Sequence, residues 1–343
     1  MTQEVVTSGA QNHFARYSYV ESELIVDGCQ PKMLPDLSVM IPTFRRPQLL
    51  KEAIESVVNQ TAHGINIEIV VVDNDAETNS SELASLVESF FPNNIRLFRN
   101  KENIGMFGNW NRCIELARAP KLTILNDDDL LHPDFINVVK CYLSSDALIS
   151  CYSKRFSIAS ELTNLIKNSY NAISLQLIEL TSFDLFLGMW TNGSLGTILD
   201  KKKSYDIGGI DEKLFPISDW VFLYNYQKKN KLLVIDAPLA FFRFAENESM
   251  NISTIQKDIS VGDYFRRKVS KKESTLTKKI VYKSIAHIIK AKKIISAKEK
   301  NKLYNAADEC RKNGLNLQIQ YLLACIPIFR LRRIYIVMKA LIK

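Results

Sequence analysis

Three consecutive carboxylates, Asp127, Asp128 and Asp129, close the short β-branched and apolar run KLTIL (121–125). Adjacent acids repel one another, so such a triplet is unfavourable unless a cation neutralises it. A hard cation such as Mg²⁺ or Mn²⁺ takes one or two carboxylates together with phosphate oxygens, which points to a metal–diphosphate substrate. In a parallel α/β sheet the C-terminal strand ends are where ligands bind. Aspartates also cap helices and favour their N-terminal ends, so a structural strand-to-helix turn competes for the triplet taken alone.

Four further segments place polar groups after apolar runs: IPTFRRP (41–47), VVDND (71–75), RNKENIGMFGNWN (99–111) and, later, PISDW (216–220). Pro42-Thr43 ends a strand and offers backbone and a hydroxyl to a nucleotide. Asp73 emerges after buried β residues, and a carboxylate there can accept the imide N–H of uracil or thymine. An Asx turn through Asp73-Asn74-Asp75 is the structural alternative and can coexist with binding. The chain has no glycine-rich phosphate loop, so neither a P-loop nor a dinucleotide fingerprint competes for the site.

In order and spacing, these five segments resemble the family 2 glycosyltransferases, inverting nucleotide-sugar enzymes of the GT-A fold. The resemblance runs from about residue 36 to about residue 244. It implies that Pro42 and Thr43 touch the base and that Arg46 matches the family's arginine. Arg45 stands where that pattern has Asn, which leaves the division of labour between the two arginines open. Asp73 takes the base-binding carboxylate position. Asn103 and Gly105 match an Asn-x-Gly element, where close backbone approach asks for a small residue. Trp110 occupies a position where arginine is common, two residues before Arg112, so a phosphate contact must come from elsewhere. The triplet matches the family's Asp-x-Asp, with Asp127 facing the ribose and Asp129 holding the metal, Mn²⁺ or Mg²⁺, as a Lewis acid.

Inversion also needs a base to deprotonate the acceptor hydroxyl. Asp219, behind GGIDEKLF (208–215), matches that position, although Ile210 replaces the usual aromatic and Ser218 stands where Glu is common. A plain helix cap is the structural alternative for Asp219, and Asp211 and Glu212 are the fallback bases. Trp190 and Trp220 suit stacking on acceptor sugars, while an aromatic in a helix is more often core. Arg243 matches a basic position late in many family members; it either neutralises diphosphate or pairs with a surface acid.

The elements that must position these residues follow from periodicity. Buried strands are predicted at 37–41, 67–72, 95–98 and 121–125, with helices from Pro47, over 82–91 and near 107–118. This alternation predicts parallel strands with right-handed crossovers. A helix around 181–190, a returning strand over 192–199, a helix near 218–229 and one or two strands over 232–244 follow. YSYVESELIV adds a possible edge strand. The expected fold is α/β: a GT-A nucleotide-sugar-binding sheet, mostly parallel with helices on both faces, plus a basic C-terminal helical appendage. The expected division is an N-terminal extension (1–35), the GT-A domain (36–262) and a basic amphipathic helical region (263–343).

The 343 residues are 46% hydrophobic and 24% charged, as in ordinary globular proteins. Six cysteines without a CxxC pair read as reduced thiols of a cytosolic protein. The four histidines have no zinc-ligand spacing. The polar N-terminus lacks signal-peptide order, and no run approaches the ~18 apolar residues of a spanning helix. The net charge of +8 is divided unevenly: residues 263–343 carry 21 Lys and Arg against 5 Asp and Glu, and residues 1–262 carry 24 against 32. In the tail, Ile280, Val281, Ile285, Ile288 and Ile289 form an apolar stripe among lysines, and Arg330, Arg332 and Arg333 follow. A basic amphipathic helix reads as an interfacial element on an anionic membrane surface; a helical cap on the catalytic domain is the alternative. No nucleic-acid module accompanies the charge, so no nucleic-acid partner is expected.

These readings converge on a cytoplasmic enzyme, peripheral on the inner face of the cell membrane. It would move a sugar from a nucleoside-diphosphate donor, UDP or dTDP, to a hydroxyl of a lipid-linked glycan in polysaccharide biosynthesis. The competing classes are a non-catalytic nucleotide- or glycan-binding module and a nucleotidyltransferase. The latter is disfavoured because no glycine-rich basic loop lies between Ile41 and Pro47.

Overall fold

The computed structural model describes residues 11–29, 34–61, 64–244 and 252–299. The chain gathers into two compact units. Met1–Thr181, Trp190–Glu212 and Ser218–Ala245 make the first; Ser182–Met189, Lys213–Ile217 and Glu246–Lys343 make the second.

The first unit opens with β1 (Ser22–Asp27), β2 (Leu37–Thr43), α1 (Pro47–Val58), β3 (Ile67–Asp73), α2 (Ser81–Glu88), β4 (Ile95–Asn100), α3 (Gly105–Leu116) and β5 (Lys121–Ile124). There follow β6 (Leu130–Leu131), α4 (Phe135–Val139), β7 (Leu148–Phe156), α5 (Leu162–Leu165) and β8 (Leu177–Leu180). After α6 (Ser182–Leu187), which lies in the second unit, come β9 (Leu199–Asp200), α7 (Lys201–Asp206), α8 (Ser218–Gln227) and β10 (Leu232–Arg243).

The main sheet has the order β1-β4-β3-β2-β5-β9. Strands β2 to β5 run parallel, and β1 and β9 close the edges antiparallel. β2 is buried along its whole length, as a parallel strand covered on both faces must be. Val39, Ile41 and Val71 form one core with Leu50, Ile54 and Val57 of α1. That helix starts at Pro47, whose missing N–H is harmless in a first turn. α3 packs on β2 and β3 and buries Trp110, Cys113 and Ile114. β6 and β7 flank β10 in a second, smaller sheet, with β8 also paired to β10.

One local expectation changes and another is resolved. The returning strand over 192–199 shrinks to β9, because Gly193 and Gly196 take φ of +62° and +69°. Turn hydrogen bonds from Leu195 N to Asn192 O and from Thr197 N to Ser194 O close the residues between. The stretch 232–244 is one strand, whose register on β7 slips on either side of Pro238, a residue with no N–H to give the ladder.

The second unit contains α6, the Lys213–Ile217 segment, α9 (Ile252–Lys272) and α10 (Leu276–Glu299). Rings of Phe183, Phe186 and Tyr282 meet at its centre. The buried Arg266 donates to the carbonyls of Phe186 (2.9 Å) and Leu187 (3.1 Å), which α6 leaves open at its C-terminal end. The apolar stripe of the tail is divided: Ile285 is 4% exposed and Ile289 2%, while Ile280 is 57% exposed. The boundary expected at 262/263 from charge falls inside α9, a continuous helix. The segment with Arg330, Arg332 and Arg333 lies outside the described residues. No helix among the described residues is long and apolar enough to cross a membrane.

Candidate active site

Strand register builds the site. Thr43 lies opposite Asp73, and Met40 opposite Ile124, so three residues further on each chain Thr43 comes level with Asp127. Thr43 Oγ1 donates to Asp127 Oδ2 at 2.8 Å, and the Phe44 N–H reaches the same oxygen at 3.4 Å. Arg46 Nη1 lies 3.4 Å from Asp127 and 3.1 Å from Asp128. Burial, followed by the neighbouring Asp128 charge, outweighs these partners and lifts the Asp127 carboxyl to about 6.

Asp129 is buried under two donors, the Arg243 N–H and the Asn126 side-chain amide, both at 3.0 Å. Burial and then the adjacent Asp128 push its carboxyl well up from the usual carboxylate range. The Arg243 guanidinium donates to the Asp128 carbonyl at 2.9 Å, pairs with Glu52 and lies over the Phe156 ring. The acid pair expected for Arg243 is formed, with Glu52, and its backbone holds Asp129 as well.

At the end of β3 the Asx turn is formed: Asp73 Oδ1 accepts the Asp75 N–H at 2.9 Å, and Arg99 approaches Oδ2 at 3.4 Å. Burial lifts the Asp73 carboxyl nonetheless. Arg45, at φ +56°, turns to Asp75 with contacts of 2.8 and 3.1 Å and to Glu77 at 2.6 Å. The two arginines thus separate, Arg45 to the β3 end and Arg46 to the triplet. Asn74 ties in the next loop, donating to Asn103 Oδ1 at 2.8 Å and accepting from Ile104 N and Asn100. Gly105 has open space where a side chain would start, so within the protein its φ of +73°, rather than close packing, requires glycine. The chain of asparagines at 74, 100, 103 and 109 was visible in the sequence, yet its role as a brace was not foreseen.

Asp219 lies in the first turn of α8 and accepts the Trp220 N–H at 2.7 Å. Its Oδ2 sits where a β-carbon on Gly193 would be. The neighbouring Asn192 bonds Ser153 of β7, which pairs with Ala240 of β10; that strand in turn pairs with Leu131, two residues after Asp129. Trp220, at 3% exposure, is packed in the core. Trp190 is half-buried. The fallback bases serve the N-terminal segment: Glu212 pairs with Arg16 at 2.7 Å and accepts from Tyr17, and Asp211 lies 3.7 Å from His13. Arg112 holds the same segment through the carbonyls of Val20 and Tyr17.

The triplet supplies oxygen donors to a cation, and two of its three carboxyls are held protonation-prone by burial and mutual repulsion. That donor chemistry fits a hard divalent ion. Among the described residues no three His, Cys, Asp or Glu side chains converge as a ready metal cage.

Residues 38–187 match the family model described as glycosyl transferase family 2. That stretch of the chain is similar to this family. Among curated relatives, this chain is 36% identical over 99 residues to the GalNAc(5)-diNAcBac-PP-undecaprenol beta-1,3-glucosyltransferase of Campylobacter jejuni, covering 29% of this chain and 31% of that protein. The chain spans about a third of the length of the first curated relatives it matches. Two solved structures share its GT-A fold. The S. aureus TarS 1-349 complex with UDP-GlcNAc superposes with a TM-score of 0.52 at 15% identity, over 75% of this chain and 71% of that one. The mannosyltransferase PcManGT of Pyrobaculum calidifontis, in complex with GDP-Man and Mn2+, gives 0.52 at 14% identity over 91% of both chains.

Proposed function

We propose that this protein is a metal-dependent inverting glycosyltransferase. It transfers a sugar from UDP or dTDP to a hydroxyl of a lipid-linked glycan in surface-polysaccharide assembly, on the cytoplasmic face of the membrane. The observation that carries the reading is the convergence of Thr43, Asp73 and Asp127 in register at one sheet edge, with Asp129 seated beside them.

In this reading Pro42, Thr43 and Asp73 take the base, and Asp73 selects uracil or thymine through the imide N–H. Arg46, Asn103 and Gly105 line the nucleotide, and Asp127 receives the ribose. Asp129, with help from its neighbours, would hold Mn²⁺ or Mg²⁺, which would supply positive charge against the departing nucleoside diphosphate. Asp219 removes the proton of the acceptor hydroxyl, and the half-buried Trp190 supports the acceptor sugar. The bound UDP-GlcNAc and Mn2+ of the structural neighbours support the donor and metal classes. The undecaprenol diphosphate in the relative's name supports a lipid-linked acceptor.

A panel of nucleotide sugars, each with Mn²⁺, tests the donor class. A ligand at 100 times its Kd adds about 2.7 kcal/mol of stability, and the stabilising donor should also be slowly hydrolysed. Stabilisation without any turnover would make the protein a binding module. Failure of every UDP and dTDP donor would remove the base assignment.

A further inference from the structure

The first turns of α10 present a face that the core does not use. Leu276, Lys279, Ile280 and Lys283 recur at helical spacing i, i+3, i+4 and i+7. All four are exposed, Leu276 at 74% and Ile280 at 57%. The core-facing residues are a different set, Tyr282, Ile285, Ala286 and Ile289. Further along the helix the outer face is closed: Lys290 pairs with Asp263 at 3.3 Å, and Ile294 is buried. The exposed stretch is thus confined to the tip of the α9–α10 hairpin. Residues 271–283 there carry five lysines and a single acid, Glu273.

We infer that this hairpin tip is the surface by which the protein docks on an anionic lipid bilayer. Lysines on flexible stems attract anionic headgroups, each by an amount that salt screens. Leu276 and Ile280 sit between them at the same level, where aliphatic side chains enter the headgroup–acyl boundary. A soluble polyanion would use the lysines and gain nothing from the two aliphatic residues; their exposure selects the bilayer. The site is narrower than an interfacial helix lying along its whole length, because Ile285 and Ile289 are committed to the unit's own core. The inference rests on the lipid-linked acceptor reading for its purpose alone.

The test uses the full chain and vesicles of phosphatidylcholine with or without the anionic lipid phosphatidylglycerol, whose surface charge attracts lysines. The parent should partition onto the anionic vesicles only. Lys279→Glu/Lys283→Glu should lower that partitioning about tenfold or more. Leu276→Ser/Ile280→Ser should leave low-salt binding but make it fully reversible by salt. Polyphosphate binding should be unaffected by the serine pair. All four positions are exposed, so unchanged melting of each variant is expected and checks the fold. Equal partitioning of parent and lysine variant would overturn the inference, as would no preference of the parent for anionic vesicles, or no effect of the serine pair on salt resistance. Stabilisation by a nucleotide sugar is read separately, so a failed docking surface leaves the enzyme reading standing.

Discussion

At the scale of single residues, Asp129 and Asp219 differ in what holds them. Asp129 is buried beside two like charges, and its hydrogen bonds come from Arg243 and Asn126. Asp129→Ala should leave the metal-free protein about as stable as the parent, since one repulsive buried acid is gone, and should abolish the Mn²⁺ dependence of UDP binding by calorimetry. Unchanged metal dependence would remove Asp129 from the metal site. Asp219→Asn keeps the side chain's shape without the proton acceptor. Donor affinity should hold while kcat falls roughly 10²–10⁴-fold; near-normal turnover would move the base elsewhere. Gly193→Ala places a methyl on the Asp219 carboxylate at φ +62°. Displacing a catalytic group by about 1 Å can cost up to ~10²-fold, so kcat should fall with donor KM unchanged. A variant with parental kcat would show that Asp219 does not need this seat.

Among the elements, β2, β3 and β4 are joined by a buried ion network as well as by their ladders. Glu68 on β3 is fully buried and accepts from Ser38 of β2, from Arg96 of β4 at 2.8 Å, and from the Arg118 side chain and N–H at 2.8 and 2.7 Å. Burial alone would raise its carboxyl, but these donors together hold it below the ordinary value of 4.5. A carboxyl lowered on folding stabilises the protein fully above its unfolded value, and that contribution is lost as pH falls through the lowered folded value. Glu68→Gln leaves Arg96 buried without its counter-charge, which costs on the order of 3 kcal/mol. Denaturant melts should show that gap at neutral pH and its narrowing below about pH 4.5. A gap independent of pH would mean that shape, rather than charge, is what Glu68 contributes.

For the whole molecule, the interleaving of the chain decides what can be cut away. Residues 182–189 and 213–217 belong to the second unit together with α9 and α10. A chain ending at residue 245 would leave Phe183 and Phe186 without Tyr282, and the carbonyls of Phe186 and Leu187 without Arg266. Each buried aromatic exposed forgoes about 1.5–3 kcal/mol. The truncated protein should bind a hydrophobic dye and melt lower than the full chain. A soluble, dye-negative product with parental melting would show that α6 needs no cover.

The sequence by itself determined the parallel sheet and the five strand-end segments, because buried parallel strands are continuous apolar runs whose ends must turn polar. Asp73, Asp127 and Asp129 were legible for that reason. Only the tertiary structure separated Arg45 from Arg46, since two adjacent arginines look alike until the φ of +56° at Arg45 sends them apart. Trp220 and Trp190 were equally plausible in sequence; packing of α8 buries the first, and the second, after the end of α6, is half-buried. Gly193 and Asn126 carried no signal, as each matters only through a partner distant in the chain or a carboxylate whose burial the sequence does not display. The tail's apolar stripe was ambiguous for a related reason. Periodicity reports that a helix has an apolar face, and only packing against Phe183, Phe186 and α9 decides whether that face meets protein or lipid.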